Sequence, residues 1–412
     1  MKKYALIALV ATFLIVGQIA KAQVTVTIWT PHDFDRRYTD VQKDMWEPFE
    51  VKNPGIKVKW VRVPDWEQKF RISAAAKQLP EIFAVDGINV ATYARQGILA
   101  PLDALIPESV KNDYWKGALD EMTYKGNLYA LALETNSHLI FYNPKLLSEA
   151  GVNPPTYWED LVELAKKLTV DKNGDGKLDQ YTFEVPIGRN EYAMWMLSAF
   201  IWANGGEIIS EDGTKALIGE PRAVEAIQFT SDLVNKYNVV PKAGTIQAGP
   251  EGAFVGGKVA MSQAGPFMFN TYERNYPNFK WEVIPTTYPR NGKRVGGVGG
   301  WHFSMWSETK NKDAAGKVMQ YISTEEFVRI LQKGYGIGVR KSVALSIPEW
   351  QRYPYKVAID QMGVGKARPS TDQYPTVTDA VQQAFDKAIL GGVSAKEAAD
   401  EAARRINAVL GK

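Results

Sequence analysis

Three short strand-like runs, VTVTIWT, IKVKWVRVP and EIFAVDG, lie between Val24 and Gly87, and helix-like stretches separate them. No other feature limits the fold as much. A helix between two strands is too long for a hairpin, so the strands must run parallel, and helices must cover both faces of the sheet. In sheets of this kind ligands bind beyond the C-terminal strand ends. That rule puts Trp29, Thr30, Pro31 and His32, after the first strand, beside Asp86, at the end of the third.

A second α/β set follows. LYALALETNSHLIFYNP is apolar and β-rich, and Glu134-Thr135-Asn136 interrupts it. PPTYWEDLVELAKKLT predicts a helix, with Thr156 and Glu159 at capping-box spacing and Leu161, Leu164 and Leu168 on one face. YTFEVPIG predicts a strand, and EYAMWMLSAFIWANGG a helix stopped by Gly205-Gly206. Capping boxes at Ser323/Glu326 and Ser394/Glu397 mark two later helices. The chain carries no internal repeat and no loose linker. Two α/β lobes joined by short crossing segments are expected.

The start, MKKYALIALVATFLIVGQIAKAQ, has the form of a secretory signal peptide. Lys2 and Lys3 precede an apolar run, and Ala20-Lys21-Ala22 fits a cleavage site before Gln23. The run is shorter than the roughly 20 apolar residues of a membrane span. Residues 1–22 contain three lysines and no acid, so their removal takes 49 basic residues to 46, equal to the 46 acidic ones. The net charge of +3 therefore belongs to this segment. The balanced remainder argues against binding nucleic acid or an anionic membrane. With no cysteine there are no disulfides and no thiol chemistry. The 12 Trp, 19 Tyr and 16 Phe suit either a large core or a ring-lined cleft.

The chemical motifs are incomplete. DKNGDGKLD sets Asp171, Asn173, Asp175, Lys177 and Asp179 at positions 1, 3, 5, 7 and 9 of a calcium loop, with Gly176 at position 6. Position 12 is Thr182 where a bidentate Glu is needed, and a strand follows where an EF-hand has a helix. A structural Ca²⁺ and a metal-free turn both remain open readings. GAFVGGKV, from Gly252, approximates a phosphate loop but has Val259 in the Ser/Thr position. The Gly296–Gly300 cluster lacks GxGxxG spacing. His32, His138 and His302 form no metal pair. Asp86, Glu134 and Glu191 are the remaining acids for a cleft. They suit a glycosidase, and they suit hydrogen bonding to sugar hydroxyls equally well.

Several stretches, in order, resemble the extracellular solute-binding proteins of carbohydrate ABC transporters, the family of the maltose-binding protein. They include VTVTIWT, FYNPKLLSEAGVNPPTYWEDL, AFVGGKVAMSQAGPFMF and GGVGGWHFSMWSETKNKDAAGKVMQYIST. The resemblance spans nearly all of the chain after the signal peptide. It implies the two-lobe periplasmic-binding-protein fold, each lobe a mostly parallel sheet flanked by helices, with the ligand cleft between them. Residues 23–134 plus 296–342 would form the N-terminal lobe, and 137–292 plus 345–412 the C-terminal lobe. It also implies an exported, non-catalytic, monomeric receptor that delivers a sugar to an ABC permease from the periplasm or cell exterior, with no required cofactor. The same fold with glycerol phosphate, a polyol or another solute, and a secreted glycosidase or lyase, are the alternatives. By resemblance or strand-end position, the expected contacts are Trp29, Asp86, Glu134, Trp195, Phe267, Trp301, Arg368 and Tyr374.

Overall fold

The computed structural model describes residues 23–31, 42–242, 244–246, 249–335 and 339–410. The signal-peptide reading and His32 lie outside them. The first three strands are β1 (Val24–Thr30), β2 (Ile56–Arg62) and β3 (Ile82–Asp86), with β1 parallel to both of the others. A hairpin of β4 (Thr123–Tyr124) and β5 (Asn127–Leu128) leads to β6 (Leu131–Ser137). After β7 (Leu139–Tyr142) come β8 (Tyr181–Glu184), β9 (Val259–Ala264), β10 (Glu282–Ile284), β11 (Gly296–Met305) and β12 (Gly365–Ala367).

The first sheet runs β12-β11-β3-β1-β2, with β6 also paired to β11; the second runs β10-β7-β9-β8. Parallel pairing holds for β1–β2, β1–β3, β11–β12 and β8–β9. The strands next to the crossings, β6, β7, β10 and β11, make antiparallel pairs, so the second sheet is mixed and not mostly parallel. The cause is topological: the strand on which the chain leaves a sheet and the strand on which it returns run in opposite directions. β12 lies on the edge of the first sheet, whereas the sequence reading put its segment with the second lobe. Three residues, Gly365–Ala367, are too short a run to show a strand pattern.

Each sheet has its own core. Val26, Ile28, Trp46, Phe83 and Phe303 pack in the first, with Val318 and Phe327 from flanking helices. In the second, the Trp158–Leu168 helix buries Leu161, Leu164 and Leu168, and Trp158 stacks on Phe229 with centroids 4.5 Å apart. That helix is capped differently from expectation. The Asp160 carboxylate accepts the Thr156 and Tyr157 N–H groups at 3.0 and 2.8 Å, leaving Thr156/Glu159 without that role. The Ser323 box shifts by one residue, Thr324 accepting from Phe327 N–H. Ser394 caps as expected, accepting from Glu397 N–H. The Gly249–Val255 helix precedes the buried strand β9, the reverse of a phosphate loop. Among the described residues no helix is long and apolar enough to cross a membrane.

Candidate functional site

β11 is the strand that assembles the site. It lies between β3 and β6, and its Trp301 is in register with Asp86 on one side and Glu134 on the other. Cross-strand neighbours share a face. A ring and two carboxylates thus form one row along the edge of the first lobe. Gly300 makes this close approach feasible, since a Cβ there would sit 2.0 Å from the Glu134 carbonyl oxygen. Asp86 also caps the Gly87–Arg95 helix, accepting from Ile88 N–H at 3.3 Å.

The second lobe supplies the opposite wall. Asn190 caps the Glu191–Ala203 helix by accepting from Ala193 N–H, and this turn presents Glu191, Tyr192 and Trp195. Tyr192 and Trp195 have ring centroids 5.9 Å apart. Phe267 follows β9 and folds its ring back over Gly265, where a Cβ would lie 2.2 Å from Phe267 Cε1. The cleft between the walls holds about 220 Å³. Asp86, Glu134, Glu191, Trp195, Phe267, Trp301 and Arg368, all cleft candidates in the sequence, line it, and so do Asn136, Tyr192, Gly299 and Gly300.

Arg368 is buried where the walls meet. Its Nη1 donates to Glu191 Oε2 at 2.9 Å, and its Nη2 is 3.6 Å from both Asp86 Oδ1 and Glu121 Oε1. Glu121 comes from the Lys116–Met122 helix and is itself buried, with His302 Nε2 at 3.4 Å. Burial pushes the Asp86 carboxyl up to about 6; Arg368 opposes that rise and Glu121 adds to it. Glu191 accepts further bonds from Tyr374 Oη (2.6 Å), Thr378 Oγ1 (2.5 Å) and Gln382 Nε2 (3.1 Å).

Two expected contacts fall elsewhere. Tyr374 is buried behind Glu191 and orients it. Trp29 is half-buried against the first core, with Lys69 Nζ 5.6 Å from its ring centroid. Neither is among the described residues lining the cleft. No residue of the 171–179 loop, expected to bear on calcium, is among the described residues lining the cleft. Asp171 accepts from the Asn173, Gly174 and Gly176 N–H groups, Asp175 from Lys177 and Asp179 from Lys172. Among the described residues no three metal-binding side chains cluster to hold an ion.

The profile of the bacterial extracellular solute-binding proteins matches residues 34–328, well over half the chain. The chain belongs to that family. It is 24% identical over 369 residues to the maltotriose-binding protein of Pyrococcus abyssi, covering 88% of this chain and 77% of that one. Its fold is similar to that of the cyclic alpha-maltosyl-1,6-maltose binding protein of Arthrobacter globiformis. There the TM-score is 0.81 and the identity 27%, over 94% and 99% of the two chains. It is also similar to a solute-binding protein of Thermotoga lettingae bound with alpha-D-tagatose. That TM-score is 0.78 and the identity 27%, over 94% and 100% of the chains. As a family member it is an extracellular, two-lobe solute-binding protein.

Proposed function

We infer that this solute-binding protein captures a sugar or oligosaccharide between its lobes and delivers it to an ABC import permease. The observation that carries the reading is the mixture in one cleft. Trp195, Phe267 and Trp301 give apolar ring surface, while Asp86, Glu134 and Asn136 give acceptors. A pyranose needs both, since its C–H faces pack on rings and its hydroxyls need partners. The carbohydrate ligands named for the relatives support the same class.

A phosphorylated solute fits less well. Arg368, the one cation among the described lining residues, is held by three carboxylates. Arg189, just before the Glu191–Ala203 helix, pairs with Asp379. An anion would have to displace a carboxylate to gain a guanidinium. Hydrolysis also fits less well, because Glu191 is fixed by four donors and Asp86 serves as a helix cap.

A thermal-shift panel tests this. Mono-, di- and oligosaccharides are compared with glycerol 3-phosphate and a short peptide. A ligand at 100 times its Kd stabilises by about 2.7 kcal/mol, and a sugar is expected to do so. A shift with glycerol phosphate or peptide and none with any sugar would sink the carbohydrate reading. Chromatography of the recovered sugar should find it unchanged.

A further inference from the structure

The chain passes from the first sheet to the second between β6 and β7, and His138 alone separates those strands. It returns between β10 and β11, entering the first sheet at Gly296-Gly297. Both crossings meet at one side chain. The Trp195 Nε1–H donates to the Gly297 carbonyl at 2.8 Å. The same indole meets the His138 imidazole edge to face, with centroids 5.2 Å apart and planes at 82°. The contact leaves no room for a side chain at position 297. A Cβ there would sit 2.3 Å from the Trp195 carbonyl oxygen and 3.2 Å from His138 Cε1.

Trp195 also lines the cleft, so it touches the ligand space and both crossing strands at once. Its helix belongs to the second lobe's core, whereas Gly297 is already a strand of the first sheet. The bond from Trp195 to Gly297 therefore spans the lobes at their pivot. His138 is fully buried, and neither of its ring nitrogens has a hydrogen-bond partner among the described residues. Burial lowers its pKa to about 3, so the ring is neutral. Packing against the indole is then what this ring contributes, and an uncharged ring suits an apolar contact.

We propose that Trp195 and His138 form a hinge clamp: the indole reports occupancy of the cleft to both crossing strands, and His138 is the residue that positions it. A ligand that touches Trp195 in the cleft favours the indole orientation that donates to Gly297, and so favours the lobe arrangement in which that bond is made. A ligand shifts such an equilibrium only through its unequal affinity for the two states, and this bond gives the inequality a location. The proposal rests on reading the cleft as the ligand site, whereas the contacts of Trp195 with Gly297 and His138 are geometry of the chain itself.

The absence of cysteine makes the test direct. Lys167, on the second lobe, and Lys317, on the first, are exposed and sit on helices. Both are replaced by Cys and spin-labelled, and the inter-lobe distance distribution is measured with and without sugar. Trp195→Phe keeps a ring for stacking and removes the donor. His138→Leu keeps apolar volume and removes the imidazole edge. Each is expected to change the ligand-free ratio of open to closed populations, by about fivefold for the lost hydrogen bond. Saturating sugar should restore the parent distance in both. Ligand-free distributions identical to the parent in both variants would overturn the clamp, even if sugar affinity fell, because Trp195 would then be a stacking face alone. If no sugar binds the parent protein, the carbohydrate reading fails while the ligand-free distances still decide the clamp.

Discussion

At the cleft, Asp86, Glu121 and Glu191 come from three separate elements and meet one guanidinium. In the 171–179 loop, Asp171, Asp175 and Asp179 meet their own backbone N–H groups. The consequences run in opposite directions. Burial raises Asp86 to about 6. The Gly176 N–H, joined by those of Gly174 and Asn173, holds Asp171 below the usual carboxylate range. Local amides satisfy an exposed acid at little cost. A buried acid depends on distant partners, which the fold must deliver. Acidic sequence alone is therefore a poor guide to a site; the source of the partners is the better one.

The sharpest way to break the contrast is to remove the shared partner. Arg368→Met leaves Asp86, Glu121 and Glu191 around an apolar side chain. Deleting one member of a buried ion pair costs about 3–5 kcal/mol. Urea unfolding should show a loss of that size and calorimetry a loss of sugar binding. A loss below about 1 kcal/mol would mean that solvent already screens the cluster.

Asp86 gives the next largest effect, with a defined sign. Its folded pKa of about 6 lies above the ordinary 3.8, so between those values the folded protein holds a proton that the unfolded chain releases. Stability then falls as pH rises from about 4 to 6, and the carboxylate is a net cost above that window. About a quarter of the side chain stays exposed, at 26%, which limits the cost to about 1–2 kcal/mol. Asp86→Asn should melt higher than the parent at pH 7.5, and the gap should close by pH 4. A gap that is unchanged across this range would show that Asp86 titrates normally.

The same division explains what the sequence disclosed. Asp86 and Glu134 were legible because a strand end and a crossing are local patterns; Trp301, expected at a strand end, lies inside β11, where one register aligns it with both. Trp195, Phe267 and Arg368 followed from the family resemblance, and they line the same cleft. Tyr374 was read as a contact because its segment approaches the cleft, but its hydroxyl turns to Glu191, 183 residues away in the chain. No local pattern encodes that pairing. In the sequence, Gly299 and Gly300 belong to a cluster that lacks GxGxxG spacing. Their signal was steric: glycines inside an apolar strand, just before a tryptophan, mark a close backbone approach. Asn136 and Tyr192 stood next to recognised acids, and only the folded arrangement turned them to the cleft.

The smallest predicted effect tests the other half of the comparison. Asp171→Ala removes an acceptor of three backbone N–H groups on an exposed loop, so the melting temperature should fall by only about 1 °C at neutral pH. The lowered folded pKa means that the parent's advantage exists above about pH 4 and disappears below it. Adding Ca²⁺ after chelator treatment should leave the parent's melting temperature unchanged, because the loop's carboxylates already accept backbone N–H groups. A rise with Ca²⁺ that Asp171→Ala abolishes would instead mean that those oxygens turn inward to an ion. The loop would then depend on a distant partner as the cleft does, and the contrast between the two acidic regions would fail.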